Sequence, residues 1–108
     1  MRVIIQYLHP DRLLRVYVHG APHRRQHREV LRRYREEIWR AAEAAGIADQ
    51  IAHPITLSAT FIDPTGPDLD NLVTALFQAL DGKCGKGPAL LRDDRQIVFI
   101  EKTGILFP

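Results

Sequence analysis

The spacing of apolar residues predicts about four β-strands along the chain. Short β-rich runs at residues 3–5 and 13–18 are separated by turn-forming residues 9–12, which indicates a hairpin. Residues 55–62 alternate apolar and small polar side chains, the pattern of a half-buried strand. Residues 96–102 are apolar on both faces, so we expect this last clear strand in the interior of the sheet. Residues 105–107 are expected to add a short edge strand or a dimer contact.

Two other segments show the 3.6-residue period of a helix. From about residue 24 to residue 45, apolar residues run along one face, and Gly46 follows as a natural end of the helix. A second helix is predicted over residues 69–80, and it carries no charged residue from Asn71 onward. A helix that is apolar over so much of its circumference is either central to the fold or packed against a partner subunit.

Taken together, the predicted elements follow a β-β-α-β-α-β order. We expect an α/β (α+β) fold, in which a small mixed sheet of about four strands packs with two main helices. At 108 residues the chain is long enough for one modest hydrophobic core, so residues 1–108 are expected to form a single domain.

Composition narrows the class of protein only slightly. Apolar residues make up 45% of the chain and charged residues 26%, and the net charge is +2, as in many soluble proteins. The single cysteine, Cys84, excludes an internal disulfide and is typical of a reducing compartment. No apolar run approaches the ~18 residues that a membrane span needs. We therefore expect a cytoplasmic protein without a membrane partner.

Positive charge is concentrated on the first predicted helix. Residues 21–40 contain seven arginines and three glutamates. Projection at 100° per residue assigns four arginines to the helix face opposite the apolar stripe, namely Arg25, Arg28, Arg32 and Arg35. Trp39 is predicted to lie on the same face as these arginines. One interpretation is a solvated surface with Glu29–Arg33 and Glu36–Arg40 ion pairs. The other is a surface that contacts DNA phosphates, with the tryptophan stacked on a base.

Two pairs of aspartates are the candidate metal-binding residues. Asp68 and Asp70 open the second helix, and Asp93 and Asp94 precede the last strand. Taken separately, the first pair is explained as an N-cap and a first-turn acid, and the second pair as a turn. If the fold brings the pairs together, three acids from two segments suffice to hold Mg²⁺, or alternatively Mn²⁺. Such an ion can polarise a phosphodiester and generate the attacking hydroxide.

At these residues the chain resembles the RusA-type Holliday junction resolvases. Their pattern is D-x-D-N-x-x-K-x-x-x-D-A-L, a short loop, then D-D-x-Q-I and a strand. Here residues 68–72 read D-L-D-N-L and residues 93–97 read D-D-R-Q-I. The resemblance covers residues 55–102 best. It implies a homodimer that uses Mg²⁺ to cut symmetric strands of a four-way DNA junction in recombination or repair.

The resemblance also implies roles for single residues. Asp68, Asp70 and Asp94 match the family's catalytic, metal-binding acids, and Asp93 matches the accompanying acid that we also expect at the metal.

Two positions depart from the family pattern. Thr74 stands in place of the family's lysine, and Gln78 stands in place of the aspartate of D-A-L. A lysine would help to neutralise the charge that develops on the phosphate in the transition state, which threonine cannot do. Other cations are candidates for this role and for DNA contact: Lys83, Lys86 and Arg92.

Three functions remain open from the sequence. The first is a Mg²⁺-dependent structure-specific endonuclease that acts on branched DNA. The second is a catalytically weakened relative that binds junction or duplex DNA without efficient cleavage, which the residues at positions 74 and 78 favour. The third is a protein that a metal stabilises structurally and that has no role with nucleic acid.

Overall fold

The computed structural model describes residues 1–22, 28–66, 68–82 and 89–107. In chain order the elements are β1 (Arg2–Leu8), β2 (Leu13–His19), α1 (Arg28–Ala44), β3 (Ile55–Ile62), α2 (Leu69–Leu80), a 3₁₀ turn (Asp94–Gln96) and β4 (Ile97–Leu106). The predicted α+β class and the β-β-α-β-α-β order are confirmed, and the predicted bounds of β3 and α2 match those observed. None of the helices described is long and apolar enough to cross a membrane.

The four strands form one mixed sheet in the order β1-β2-β3-β4. β1 and β2 are antiparallel and form the expected hairpin, whereas β2 with β3 and β3 with β4 pair in parallel. A parallel pair needs a crossover connection, and α1 and α2 supply the two crossovers. A helix in such a crossover runs opposite to its strands. Consequently α2 begins near the end of β3 and ends near the beginning of β4.

Both helices cover the same face of the sheet. Burial alternates along β1, where Val3 and Ile5 are buried and Ile4 is exposed. Most of the buried apolar residues of β1, β2 and β3 form one hydrophobic cluster with residues of both helices, among them Tyr34 of α1 and Leu76 of α2. The opposite face of the sheet carries polar residues that line a shallow depression, such as Arg15, Tyr17, Ser58 and Lys102.

The end of α1 agrees with the sequence prediction. Gly46 has a φ of +86°, its N–H donates to the carbonyl of Glu43 (3.0 Å), and the N–H of Ile47 donates to the carbonyl of Ala42 (2.9 Å). This pair of bonds is the Schellman arrangement, which satisfies carbonyls that the helix itself leaves open.

The position of β4 differs from the prediction. β4 pairs only with β3 and is an edge strand, so the expectation of an interior strand is wrong. Val98 is 64% exposed and Phe99 is 63% exposed, although both are large apolar residues. Ile105 and Leu106 continue β4 and do not form a separate edge strand. An apolar strand is therefore left uncovered at one side of the sheet.

Candidate functional site

The C-terminal end of α2 is tied to the segment that leads into β4. The N–H of Leu91 donates to the carbonyl of Leu80 (3.0 Å), and the N–H of Gly82 donates to the carbonyl of Leu91 (2.9 Å). A Cβ atom on Gly82 would lie 2.9 Å from the Leu91 oxygen and 3.0 Å from the Arg92 oxygen, so this close approach requires glycine. These contacts bring Asp81, the residue that ends α2, beside the segment that precedes β4.

A short 3₁₀ turn holds the second aspartate pair. The carboxylate of Asp93 accepts a hydrogen bond from the N–H of Arg95 (3.0 Å), and the N–H of Asp93 donates to the side-chain oxygen of Gln96 (2.8 Å). This reciprocal pattern is a capping box. The amide nitrogen of Gln96 donates in turn to the carbonyls of Ile51 and His53 (2.8 and 3.1 Å). The turn is therefore anchored to the connection between α1 and β3.

These two local structures bring three carboxylates together. Asp81, Asp93 and Asp94 have oxygens that all lie within 4.8 Å of one another. Asp81 is only 3% exposed, and the other two are half-buried. Carboxylate oxygens are the ligands that Mg²⁺ prefers, so this carboxylate cluster is the candidate metal site. The sequence predicts two of its members and misses Asp81.

Arg95 contributes positive charge at the carboxylate cluster. Its Nε and Nη2 atoms each lie 3.0 Å from Oδ2 of Asp93. This hydrogen bond raises the pKa of Arg95, and the negative charges of Asp93, Asp94 and Asp81 act in the same direction. Neighbouring carboxylates repel one another and need a cation or a proton nearby. Because the Arg95 side chain is 80% exposed, solvent weakens its compensation of the cluster.

Arg35 reaches the same end of α2 from α1. Its Nη2 donates to the backbone carbonyls of Asp81 (2.7 Å) and Gln78 (3.2 Å). These are carbonyls of the last helical turn, which have no partner inside the helix and which attract a cation. Arg35 is only 4% exposed, so its predicted place on the exposed, DNA-contacting face of α1 is wrong. In the helical projection it lies ~20° from the buried Ala42, at the border of the apolar stripe.

The other predicted DNA-contacting residues have different surroundings. Arg32 is exposed and pairs with both Glu29 and Glu36, and this contact lowers the pKa of Glu29. Arg40 pairs with Glu37 (2.8 Å), so the ion pairs of α1 differ from the two predicted. Trp39 is partly buried against the core and does not lie on the solvated face as predicted.

Five further cations complete the predicted DNA-contacting set. Arg28 and Arg92 are exposed, and Arg92 directly precedes the carboxylate cluster in the chain. The remaining three lie outside the described residues: Arg25, Lys83 and Lys86. Among the described residues of this set, Arg92 is therefore the exposed cation that adjoins the carboxylate cluster in the sequence.

Asp68 and Asp70 lie at the other end of α2. Asp68 stands at the N-cap position but makes no capping bond to the helix backbone, and its carboxylate accepts from the side chain of Asn71 (2.6 Å). Asp70 is exposed, and its carbonyl accepts from the hydroxyl of Thr74 (3.0 Å). Because α2 has twelve residues, it is ~18 Å long. Within one chain the structure therefore does not bring Asp68 and Asp70 to Asp94.

Comparison with known proteins identifies no relative of this chain. No protein-family model, no curated protein and no solved structure matches this chain. The resemblance to the RusA-type resolvases therefore rests on the motif residues, and the candidate site is defined by the carboxylate cluster at the C-terminal end of α2.

Proposed function

We propose that this protein is a Mg²⁺-dependent endonuclease that acts on branched DNA. The observation that carries the proposal is the convergence of the Asp81, Asp93 and Asp94 carboxylates within 4.8 Å. Oxygens bound to one octahedral Mg²⁺ at ~2.1 Å lie ~3–4 Å apart, so small side-chain rotations are enough to bring these oxygens to that spacing.

Two of the three acids are held in fixed positions by the chain, and the third can be reached from solvent, as a metal site requires. Asp81 is buried and fixed at the end of α2, whereas Asp93 is oriented by its capping box. Asp94 begins the 3₁₀ turn and is half-buried, so its carboxylate is reachable from solvent. A bound Mg²⁺ would polarise a phosphodiester and lower the pKa of its water. Arg92 is exposed, and its guanidinium would contact the backbone of the DNA.

The test is cleavage of a synthetic four-way junction with and without Mg²⁺. Asp94→Asn is expected to lower the nicking rate by ~100-fold or more, since metal stabilisation of the transition state is worth several kcal/mol. The matched control is Asp49→Asn, which changes an exposed acid between α1 and β3 and should cut like the parent. Absence of Mg²⁺-dependent nicking by the parent protein at any excess would refute the enzymatic proposal.

A second candidate function is binding of junction or duplex DNA without efficient cleavage. It is favoured by Thr74, whose hydroxyl donates to the carbonyl of Asp70 and offers no positive charge. This candidate predicts tight, salt-sensitive binding with negligible cutting, and the log–log salt slope would report the number of phosphates engaged. Thr74→Lys should then raise the rate of cleavage. A parent that already cuts briskly, and that the substitution does not improve, would exclude this candidate.

A further inference from the structure

The face of the sheet that the helices leave uncovered, here called the open face, has an aromatic residue on an inner strand. Tyr17 of β2 lies opposite Ile4 of β1 on one side and opposite Thr60 of β3 on the other. Thr60 in turn lies opposite Gly104 of β4, so the row that contains Tyr17 ends at a position without a side chain. Tyr17 is partly exposed, and its ring is therefore accessible from the open face.

Positive charge lies on both sides of this ring along the strands. Two residues towards the beginning of β2, Arg15 lies opposite Ser58, which lies opposite Lys102 of β4. Two residues the other way, His19 of β2 lies opposite Arg2 of β1. Rows that are two residues apart are separated by ~7 Å along a strand, so cations lie close to the ring on either side.

The cations of the open face are not neutralised by the chain. Among the residues that the structure describes, Arg2, Arg15 and Lys102 form no ion pair, whereas Arg32 and Arg40 of α1 pair with glutamates. Within the described lining of the open face, the one acid is Glu101. The open face therefore has an excess of positive charge that is available to an anionic partner.

Two depressions of the open face share the aromatic ring as a wall. The smaller has a volume of about 240 Å³ and contains Arg2, and the larger has a volume of about 470 Å³ and contains Arg15 and Lys102. The larger depression also presents the hydroxyls of Ser58 and Thr60, which can donate to phosphate oxygens. A flat apolar ring thus separates two basic, polar depressions.

We propose that the open face binds single-stranded DNA, with one base stacked on Tyr17 and the adjoining phosphates in the two depressions. Bases of any sequence stack on an aromatic ring, and neighbouring cations neutralise the phosphates of the strand. The bases of a duplex are already paired and stacked, so a duplex cannot make this contact. The choice of DNA rests on the proposed function, because a branched substrate provides DNA strands at its branch point.

The direction of the strands connects the open face with the carboxylate cluster. β2 and β4 are both parallel to β3, so all three begin at the edge of the sheet where Asp94 precedes β4. A DNA strand that passes from this edge over the open face meets Arg15 and Lys102 first and Tyr17 next. The same strand can therefore contact the cluster and the open face.

Other occupants fit the open face less well. A second copy of the chain laid on it would bring together two surfaces with the same excess of positive charge, which repel each other. An acidic peptide would satisfy the cations, but its carboxylates offer no ring to stack on Tyr17. A single strand of DNA matches both the charge and the ring.

The first test is binding of a fluorescent thymidine oligomer of ~12 nucleotides, measured by anisotropy in EDTA so that neither metal nor cleavage is needed. Tyr17→Ile keeps a side chain suited to a strand and is expected to weaken binding by ~10-fold through loss of stacking. Lys102→Gln should weaken binding by ~5-fold at 0.1 M salt and lower the log–log salt slope by ~0.7. Arg40→Gln removes the same charge from α1 and should bind like the parent. A parent that does not bind, or variants of Tyr17 and Lys102 that bind like it, would overturn the proposal.

A second pair of variants adds to the open face and removes no contact. A Cβ atom at Gly104 would meet no atom within 4 Å, so a side chain there can be accommodated. Gly104→Glu is expected to weaken binding by ~5-fold, the value of one phosphate contact at 0.1 M salt, because it adds a negative charge. Gly104→Gln has the same size without the charge and should bind like the parent. Equal binding by the two variants would contradict a path for the DNA over this face.

The third test locates the contact directly. An oligomer that contains bromouracil is cross-linked to the protein by ultraviolet light, and the modified peptide is identified by mass spectrometry. We expect the modification in the peptide that contains Tyr17. Modification confined to residues 28–44 of α1 would overturn the proposal.

Competing ligands and the particle mass distinguish the other occupants. Polyglutamate that displaces the oligomer as well as unlabelled DNA does would assign the open face to acidic peptides, and a uridine oligomer that binds more tightly would overturn the choice of DNA. A parent of twice its 12.3 kDa chain mass that Tyr17→Ile makes monomeric would assign this face to a second copy.

The same measurements separate this inference from the proposed endonuclease. A parent that binds single strands through Tyr17 but never nicks a junction would retain the binding face and remove the endonuclease. A parent that nicks junctions, but whose binding of single strands is unchanged in Tyr17→Ile, would remove the binding face alone.

Discussion

Replacement of Arg35 is the sharpest test of how the end of α2 is held. The sequence assigns Arg32 and Arg35 to the same exposed face of α1, whereas the structure buries Arg35 against the last carbonyls of α2. Arg35→Ala removes both hydrogen bonds and the packing of the side-chain stem. It also leaves the carbonyls of Gln78 and Asp81 without this donor.

The expected loss of stability follows from these contacts. A hydrogen bond from a charged donor contributes ~1.5–3 kcal/mol, so the loss of two is expected to cost about 3–6 kcal/mol of the free energy of unfolding. For a domain of this size the melting temperature should fall by more than ~10 °C. Arg35→Met keeps most of the stem and removes only the donors, so its loss should be smaller than that of Arg35→Ala.

The assay is urea unfolding followed by the fluorescence of Trp39, the only tryptophan of the chain. Arg32→Ala is the matched control, because Arg32 makes ion pairs on the solvated side of the same helix. Such exposed pairs contribute little, so this variant should unfold nearly like the parent. If Arg35→Ala and Arg32→Ala unfold at the same urea concentration, Arg35 does not hold α2 in the way described.

Three other predictions concern the core and the carboxylate cluster. The Tyr34 hydroxyl is buried without a hydrogen-bond partner among the described residues, so Tyr34→Phe should leave the stability at neutral pH unchanged or slightly higher in urea unfolding. Burial raises the pKa of Tyr34 above its ordinary value of 10.0, so the unfolded chain ionises first. Stability is therefore expected to fall as the pH rises above 10, and Tyr34→Phe should reduce that fall in unfolding curves recorded across this range. Gly82→Ala should weaken Mn²⁺ binding measured by calorimetry, because the new Cβ would push the segment before β4 away from α2. The control is Gly104→Ala, whose new Cβ meets no atom within 4 Å, so this variant should bind Mn²⁺ like the parent. Gln96→Ala should cost ~1–2 kcal/mol of stability in thermal unfolding through loss of the capping box, and an unchanged melting temperature would contradict that role.

Local sequence patterns were sufficient to predict the bounds of β3 and α2. The alternation in residues 55–62 and the uncharged, helix-periodic segment after Asp70 are enough to define β3 and α2, because sequence segments with proline and glycine bound them. The position of β4 in the sheet was not predictable in this way. An apolar strand has the same pattern whether its second neighbour is another strand of the chain or another molecule.

The candidate site was predictable only in part, for a topological reason. Asp93 and Asp94 are recognisable from the motif, but their partner depends on the direction of α2 relative to the sheet. A helix between two parallel strands returns to the edge at which both strands begin, so its last residue, and not its first, meets the entry to β4. Asp81 follows from that rule, which requires the knowledge that β3 and β4 are parallel.

The uncovered apolar edge of β4 is a template for pairing with a strand of another molecule, so we expect the behaviour of this protein to depend on its concentration. When two chains share an edge, dilution separates them, and each tenfold dilution of a dimer weakens its apparent stability by about 1.4 kcal/mol. Melting curves recorded at different concentrations should then not superimpose. Substitutions on this strand would change the response to dilution more than the packing inside each chain.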